Sequence, residues 1–189
     1  YGNDVEPAYP LKDNIKFVNR QSELLENNLP NLRNLLLANE NSIQVQYFND
    51  VEALHKIYDD HLKSTGYEMI GFSDIEKVNE FLGQDFLRKY VKNKKKLNIS
   101  SRGIIPISTF GKNYKDDFYG KNSYDEQVQI KMIDSKKYPI GYGTEIVLYS
   151  GNKISLIDVS KKTISGIIIQ NDSLYLTLKS IFEMTWLNL

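Results

Sequence analysis

Short strand-like runs alternate with helix-length amphipathic runs in the first half of the chain, and this order constrains the fold more than any other feature. In the run 42–48, Ile43, Val45 and Tyr47 share one face, because successive residues of a strand face opposite sides. Further strands are predicted at 67–72 and near 97–105, with helices between them that run to about Thr65 and Asn93. Because connections of helix length join parallel strands, this order predicts a parallel sheet in an α/β fold.

The second half of the chain has the pattern of a hairpin followed by a buried strand and a helix. Strands are predicted at 127–133, 145–149, 153–159 and 165–170, with a Ser150-Gly151-Asn152 turn between the second and the third. Asn171 or Asp172 caps a last helix, whose apolar face holds Leu174, Leu178, Ile181, Phe182 and Trp186. The segment 107–126 is polar and poorly patterned, which leaves a short helix near 112–118 and a mobile loop as alternatives.

The N-terminal part divides into a loose lead-in over 1–10 and a predicted helix over 11–40. Residues of this helix recur at alternating spacings of four and three, with Ser22 as the one polar position, which is typical of a coiled coil: Leu11, Ile15, Val18, Ser22, Leu25 and Leu29. Pro30 predicts a kink or break near Asn28. The pattern fits a dimerising linker, which we favour slightly, or an amphipathic helix that lies on its own domain.

Composition excludes several classes of protein. Lys plus Arg and Asp plus Glu both number 24, which argues against a domain that mainly grips phosphate backbones. The chain has no cysteine, so thiolate catalysis and cysteine-zinc sites are excluded, and a cytoplasmic location is expected. No apolar run approaches the roughly 18 residues of a membrane span, so we expect no membrane partner.

Two other features have ordinary interpretations. His55 and His61 lie six residues apart, so a helix places them on different sides, and we expect one half buried and one solvated. We therefore expect no metal site, and nothing in the sequence calls for a cofactor. The run 88–96 holds six basic residues; it could touch a nucleic acid or an acidic partner, but it more often forms a solvated helix end.

Several segments resemble the effector domain of TrmB-like transcriptional regulators. The likeness begins at "LLENNLPNLRNLL", passes through "ISSRGIIP", and is most specific at "EIVLYSGNKISLIDV" and at the "FEMTW" ending, Phe182 to Trp186. It implies a phospholipase D-like mixed sheet flanked by helices over 41–189, preceded by the 11–40 linker helix. It also implies a homodimer, a small-molecule effector such as a sugar, and DNA binding only through a winged helix-turn-helix absent from this chain, which starts at Tyr1.

The same resemblance implies that the domain is not an enzyme. Phospholipase D enzymes carry a His-x-Lys motif with a later Asp, and alignment on Gly151 puts Gly143, Glu145 and Ser150 at these three positions. Glycine cannot act as the nucleophile, and a glutamate would repel the phosphate that a lysine stabilises. An enzyme with a rebuilt site would need His55 or His61 as its nucleophile.

Ligands of open α/β sheets bind beyond the carboxyl ends of strands, which points to Asn49, Ser73 and Arg102. Arg102 is the best single candidate, because a guanidinium binds carboxylates, phosphates and hydroxyls. The alternative for Arg102 is an ion pair with Glu145 or another acid. Three aromatic side chains could stack on a sugar or cover the core: Tyr114, Phe118 and Tyr119. A module that only dimerises remains a third hypothesis, and its signature would be a pocket filled by its own side chains.

Overall fold

One mixed sheet organises the domain in a computed structural model that describes residues 43–120, 127–134, 143–159 and 165–189. The lead-in and the linker helix, with Leu11, Ile15, Val18, Leu25 and Leu29, lie outside the described residues. The strands are β1 (Gln44–Phe48), β2 (Glu68–Phe72), β3 (Ser100–Pro106), β4 (Val128–Ile133), β5 (Thr144–Tyr149), β6 (Lys153–Asp158) and β7 (Ser165–Gln170). Within the described residues, these seven strands have the order β1-β7-β6-β5-β2-β3-β4.

The helices confirm the α/β prediction. They are α1 (Val51–His61), α2 (Ile75–Leu82), α3 (Gln84–Lys96), α4 (Thr109–Tyr114) and α5 (Asp172–Asn188). The predicted helix up to Asn93 is in fact two helices, because Gly83 adopts a positive φ of 79° between α2 and α3. For the segment after β3, the sequence left a short helix and a mobile loop as alternatives, and its described residues form the helix. Ser108 caps α4, and a π-helical turn, Lys115–Tyr119, follows it.

The prediction of a parallel sheet is correct for only part of the chain. β2 and β3 are parallel, as the helical connection between them predicts, and β4 is parallel to β3 as well. β1 instead pairs antiparallel with β7 and forms the far edge of the sheet. This pairing joins segments about 120 residues apart, as in Val45 with Ile169, so no local pattern in the sequence reports it.

The sheet has a core on each face. On the first face α1 to α4 bury a large cluster that includes Leu54, Val78 and Val91. On the second face α5 packs through Phe182, which is fully buried, against Ile70 and Leu148. Ile181 was predicted on the buried face of α5 but is 44% exposed, so the buried stripe of that helix is narrower than expected. None of the helices described here has the length and apolar character needed to cross a bilayer.

A buried carboxylate fastens the end of α1 to the hairpin of β5 and β6. Asp60 accepts hydrogen bonds from Tyr149 at 2.8 Å, Lys153 at 2.9 Å and Lys63 at 2.6 Å. Burial alone would raise the pKa of Asp60, but these donors outweigh burial and lower it to about 2. The contact holds the next residue, His61, against the sheet.

Two glycines are register partners on β2 and β3 and have opposite surroundings. A Cβ on Gly71 would collide with the backbone carbonyl oxygen of Ile146 on β5, and it would lie 3.2 Å from the Cα of Val147. A Cβ on Gly103 would have no described atom within 4 Å. The seam between β2 and β5 therefore requires glycine at 71, while position 103 faces open space.

These surroundings predict opposite effects of the same substitution. Gly71→Ala should lower the free energy of unfolding by about 1–3 kcal/mol, because the strands must separate to admit the methyl group. Gly103→Ala should leave stability unchanged or raise it by about 0.5–1 kcal/mol, because alanine is less costly to order than glycine. Urea unfolding of both variants measures the difference. Equal losses in the two would contradict this account of the seam.

Candidate ligand-binding site

A cavity of about 110 Å³ lies between the first face of the sheet and the helices α1 to α4. Gly71 and Gly103 border it from adjacent strands, and neither contributes a side chain that would fill it. Its polar lining comes from six elements and from the residue that follows β2: Tyr58, His61, Ser73, Tyr90, Lys94, Ser101, Arg102, Tyr114, Tyr119 and Glu145. Such a lining of a few polar groups among apolar ones is typical of small-molecule sites.

Glu145 of β5 supplies the negative charge of the cavity. It is 6% exposed, and its two carboxylate oxygens accept one hydrogen bond each, from the Tyr58 hydroxyl at 2.6 Å and from the Ser73 hydroxyl at 2.7 Å. Burial raises the pKa of Glu145, although these hydrogen bonds and the charge of Lys94 act in the other direction. Since a carboxylate has about four acceptor positions, this one can accept further donors.

Lys94 of α3 supplies the positive charge. It is 4% exposed, and its Nζ donates to Ser101 Oγ at 2.9 Å and to Tyr119 Oη at 3.2 Å. The same ammonium group lies 5.7 Å from the centre of the Tyr90 ring. Lys94 has no ion-pair partner among the described residues, so hydroxyl dipoles and ring faces are what stabilise its charge.

His61 is the buried base next to this pair. It is fully buried, with Nδ1 3.0 Å from the Tyr90 hydroxyl and Nε2 2.9 Å from the Ser155 hydroxyl. Burial, helped by the charge of Lys94, lowers the pKa of His61 to about 3. The expectation of one half-buried and one solvated histidine was wrong, because His55 is also partly covered and stacks on Phe86 at 4.3 Å.

Two of the three predicted ligand contacts, Ser73 and Arg102, border the cavity, and Asn49 does not. Ser73 follows β2 and lines the cavity, as the rule for strand ends predicts. Asn49 follows β1 at the far edge, is exposed, and is separated from β2 by three strands. Arg102 lies within β3 and not beyond its end, and its guanidinium is on the second face of the sheet.

The Arg102 guanidinium is held by two acids. It donates to both carboxylate oxygens of Glu68, at 2.8 and 2.9 Å, and to both of Glu183, at 2.9 and 2.6 Å. It also lies 5.4 Å from the ring centres of Phe182 and Trp186. An ion pair is therefore its observed contact, with these acids in place of Glu145, and a ligand contact at Arg102 stays a prediction.

The aromatic residues after β3 belong to the core, and two of them, Tyr114 and Tyr119, also border the cavity. Tyr114 and Phe118 are both 8% exposed, with ring centres 4.7 Å apart, and Arg88 lies over the Phe118 ring. The basic run 88–96 is thus only partly a solvated helix end: Lys94 is buried, and Lys95 donates to the Tyr119 carbonyl at 2.7 Å. Within the ranges described above, no group of three histidines or acids could hold a metal ion.

Lys94 and Glu145 are the site residues that the sequence interpretation missed. A signal for Lys94 exists: it follows Leu87 by seven residues and Val91 by three, which places it on the buried stripe of α3. Glu145 alternates with Val147 and Tyr149, so it shares the face that packs against helices. In both cases an ionisable residue occupies a position whose neighbours on the same face are apolar or aromatic.

Comparison with solved structures finds similarity of fold. The archaeal chromatin protein TrmBL2, whose structure is described as showing a novel mode of DNA binding, superposes with a TM-score of 0.51 at 12% identity, over 94% of this chain and 64% of that chain. NucT from Helicobacter pylori superposes with a TM-score of 0.48 at 10% identity, over 76% of this chain and 95% of that chain, which is too weak to support an argument. No protein-family model and no curated protein matches the sequence.

The neutral, buried His61 predicts a specific dependence of stability on pH. Its pKa is about 3 in the folded protein and near 6.5 when exposed, so between these values only the unfolded state binds the proton. Stability should therefore fall as the pH drops through this window, by up to about 1.4 kcal/mol per pH unit. The raised pKa of Glu145 acts in the opposite sense. Its contribution to the free energy of unfolding declines as the pH rises above the ordinary pKa of a glutamate.

Urea unfolding between pH 4.5 and 7 measures this effect. His61→Gln should flatten the pH dependence relative to the wild type, whatever its stability at neutral pH. His55→Gln, on the same helix but outside the hydrogen-bonded network of His61, controls for the loss of a histidine. If both variants alter the slope equally, the assignment to His61 is wrong.

Proposed function

We propose that the described domain is the effector-binding domain of a TrmB-like, DNA-binding transcriptional regulator. The observation that carries the proposal is the cavity, in which Lys94 and Glu145 are both buried and neither has an ion-pair partner among the described residues. Buried charges cost free energy unless they are paired, so a ligand that pairs them accounts for their presence. The similarity of fold to TrmBL2 agrees with a regulator but is limited to the fold.

The cavity distinguishes this proposal from a module that only dimerises. Such a module would have a pocket filled by its own side chains, whereas about 110 Å³ stays open beside Gly103. Cavities that stay empty are usually apolar, whereas this one borders two ionisable side chains and several hydroxyl groups, which suit a hydrogen-bonding occupant. Both properties favour a site that receives a small polar molecule.

We further propose that the fold is phospholipase D-like and that the domain is catalytically inactive. Glu145, which aligns with the catalytic lysine of that fold, presents a negative charge toward the cavity and would repel a phosphate. His55 and His61 are the alternative nucleophiles. His55 stacks on Phe86 and does not line the cavity, and both nitrogens of His61 are engaged by hydroxyl groups. A nucleophilic imidazole needs a free nitrogen that reaches its substrate.

An assay with bis(4-nitrophenyl) phosphate tests the enzyme hypothesis. We expect no hydrolysis above the buffer rate, because neither His61 nor Glu145 can act on the phosphate. Hydrolysis that disappears in His61→Asn but persists in His55→Asn would contradict the proposal and favour a rebuilt phosphodiesterase. Circular dichroism of both variants verifies that they are folded.

Signal transfer in this proposal follows from where the cavity lies. Its walls come from α1 and α3 as well as from the sheet, so a ligand that prefers one packing of these elements shifts the population toward it. In the whole regulator this shift would be passed through the 11–40 segment, which we propose forms a homodimer through Leu11, Ile15, Val18, Leu25 and Leu29. DNA contact would come from another part of the protein.

A cavity-filling substitution tests effector binding. Gly103→Val should keep the fold, because its side chain enters open space, and should abolish thermal stabilisation by any ligand that binds there. The screen covers sugars, sugar phosphates and small metabolites against the 189-residue chain, since a ligand at a hundredfold over its Kd stabilises by about 2.7 kcal/mol. Arg102→Met is the control, because Arg102 borders the cavity but its guanidinium is held by Glu68 and Glu183 on the second face.

The two variants separate binding from stability. Arg102→Met should lower the melting temperature but keep the ligand-induced shift. Gly103→Val should keep the melting temperature of the free protein but lose the ligand-induced shift. No shift across the panel, or a shift that Gly103→Val retains, would contradict an effector site in this cavity. A ligand-induced shift that is lost only in Arg102→Met would instead indicate binding at Arg102, the best candidate from the sequence.

A further inference from the structure

The charges that border the cavity point to the chemical class of its ligand. Lys94 and Glu145 both line it, one on α3 and one on β5, and they form no ion pair with each other. We infer that the cavity binds a small zwitterion, with the ligand carboxylate on Lys94 and the ligand ammonium on Glu145. This inference rests on the proposed function, because it assigns a ligand to the same site.

The surroundings of Lys94 call for an anion. Its two hydrogen-bond acceptors are the neutral hydroxyls of Ser101 and Tyr119, and the faces of the Tyr90 and Tyr119 rings provide the rest of its environment. Neutral acceptors compensate a buried ammonium poorly, whereas a charge-assisted hydrogen bond to a carboxylate is about twice as strong as a neutral one. An ammonium has three donors, so the third is available for the ligand.

The surroundings of Glu145 call for a cation. Each of its oxygens accepts one bond from a neutral hydroxyl, of Tyr58 or Ser73, and keeps capacity for another donor. Burial raises the pKa of Glu145, and the hydrogen bonds from Tyr58 and Ser73 and the charge of Lys94 offset this only in part, as expected of a carboxylate without a cation in contact. A ligand ammonium would supply that contact from within the cavity.

Other ligand classes match only half of this arrangement. A simple carboxylate or phosphate pairs with Lys94 but brings a negative charge toward Glu145. A simple amine pairs with Glu145 but brings a positive charge toward Lys94. A neutral sugar leaves both buried charges without a counter-ion, which is costly. Apolar wall residues such as Met69 and Val147 suit a small aliphatic side chain, and a volume of about 110 Å³ limits the ligand to a small molecule.

Isothermal titration of the 189-residue chain with three matched compounds tests the inference. L-alanine carries both charges, lactate replaces its ammonium by a hydroxyl, and alaninol replaces its carboxylate by an alcohol. We expect alanine, or a zwitterion of similar size such as serine, to bind at least tenfold more tightly than either analogue. A site built to bind a charged group discriminates strongly against an analogue that lacks it.

Two near-isosteric variants test which side chain binds which charged group of the ligand. Lys94→Met should remove the preference for alanine over alaninol, and Glu145→Gln should remove the preference for alanine over lactate. Each variant should keep the other preference, which a general loss of folding would not do. If either variant fails to fold, the wild-type protein still tests the inference through two ratios: the affinity for alanine over that for lactate, and the affinity for alanine over that for alaninol.

The outcomes separate this inference from the proposed function. Lactate or alaninol binding as tightly as alanine would overturn the zwitterion. Binding of a neutral sugar that Gly103→Val abolishes, with no binding of the zwitterions, would overturn it too but leave the effector site in place. No binding by any compound of either panel would overturn both.

Discussion

The close approach of β2 to β5 is the constraint on which the rest of the domain depends. At this seam the parallel strands β2, β3 and β4 meet the antiparallel strands β5, β6, β7 and β1, and the two sets form one sheet only if both backbones fit. Gly71 permits the contact, because any side chain there would strike the Ile146 carbonyl. The seam places Ser73, at the end of β2, within 2.7 Å of Glu145 on β5, so the same junction that closes the sheet also builds one wall of the cavity.

The two charged walls of the cavity are expensive for the protein on its own. A sheet of this kind could bury methionine and glutamine in place of Lys94 and Glu145 and lose little, since buried ion pairs rarely add stability even when they are in contact. Here the two charges form no ion pair, and hydrogen bonds with the hydroxyl groups of Tyr58, Ser73 and Ser101 reduce the free-energy cost of burying them. In the proposed binding site, the same groups that lower the stability of the free protein would select the ligand.

Local patterns in the sequence predicted the elements, and non-local pairing set their arrangement. The alternation of apolar residues located the strands, and the Ser150-Gly151-Asn152 turn located the hairpin, because both depend on neighbours in the chain. The place of β1 depends on β7, more than a hundred residues away, and the role of Arg102 depends on Glu183 of α5. Lys94 was missed for another reason: in a run of six basic residues, its position on the buried stripe of α3 was hidden by its charged neighbours.

The only tryptophan of the chain lies on the opposite side of the sheet from the cavity. Trp186 stacks on Phe182 with ring centres 5.6 Å apart, and the cations of Arg102 and Lys131 lie within 5.4 and 5.0 Å of its ring centre. Trp186 does not line the cavity, but it borders a separate cleft together with Lys112 of α4 and Ile130 of β4, so its fluorescence reports the docking of α5 and the state of this edge of the sheet. A change in tryptophan emission when a ligand binds in the cavity would consequently record movement of α5 or of the edge formed by α4 and β4, and not contact between the ligand and the indole ring.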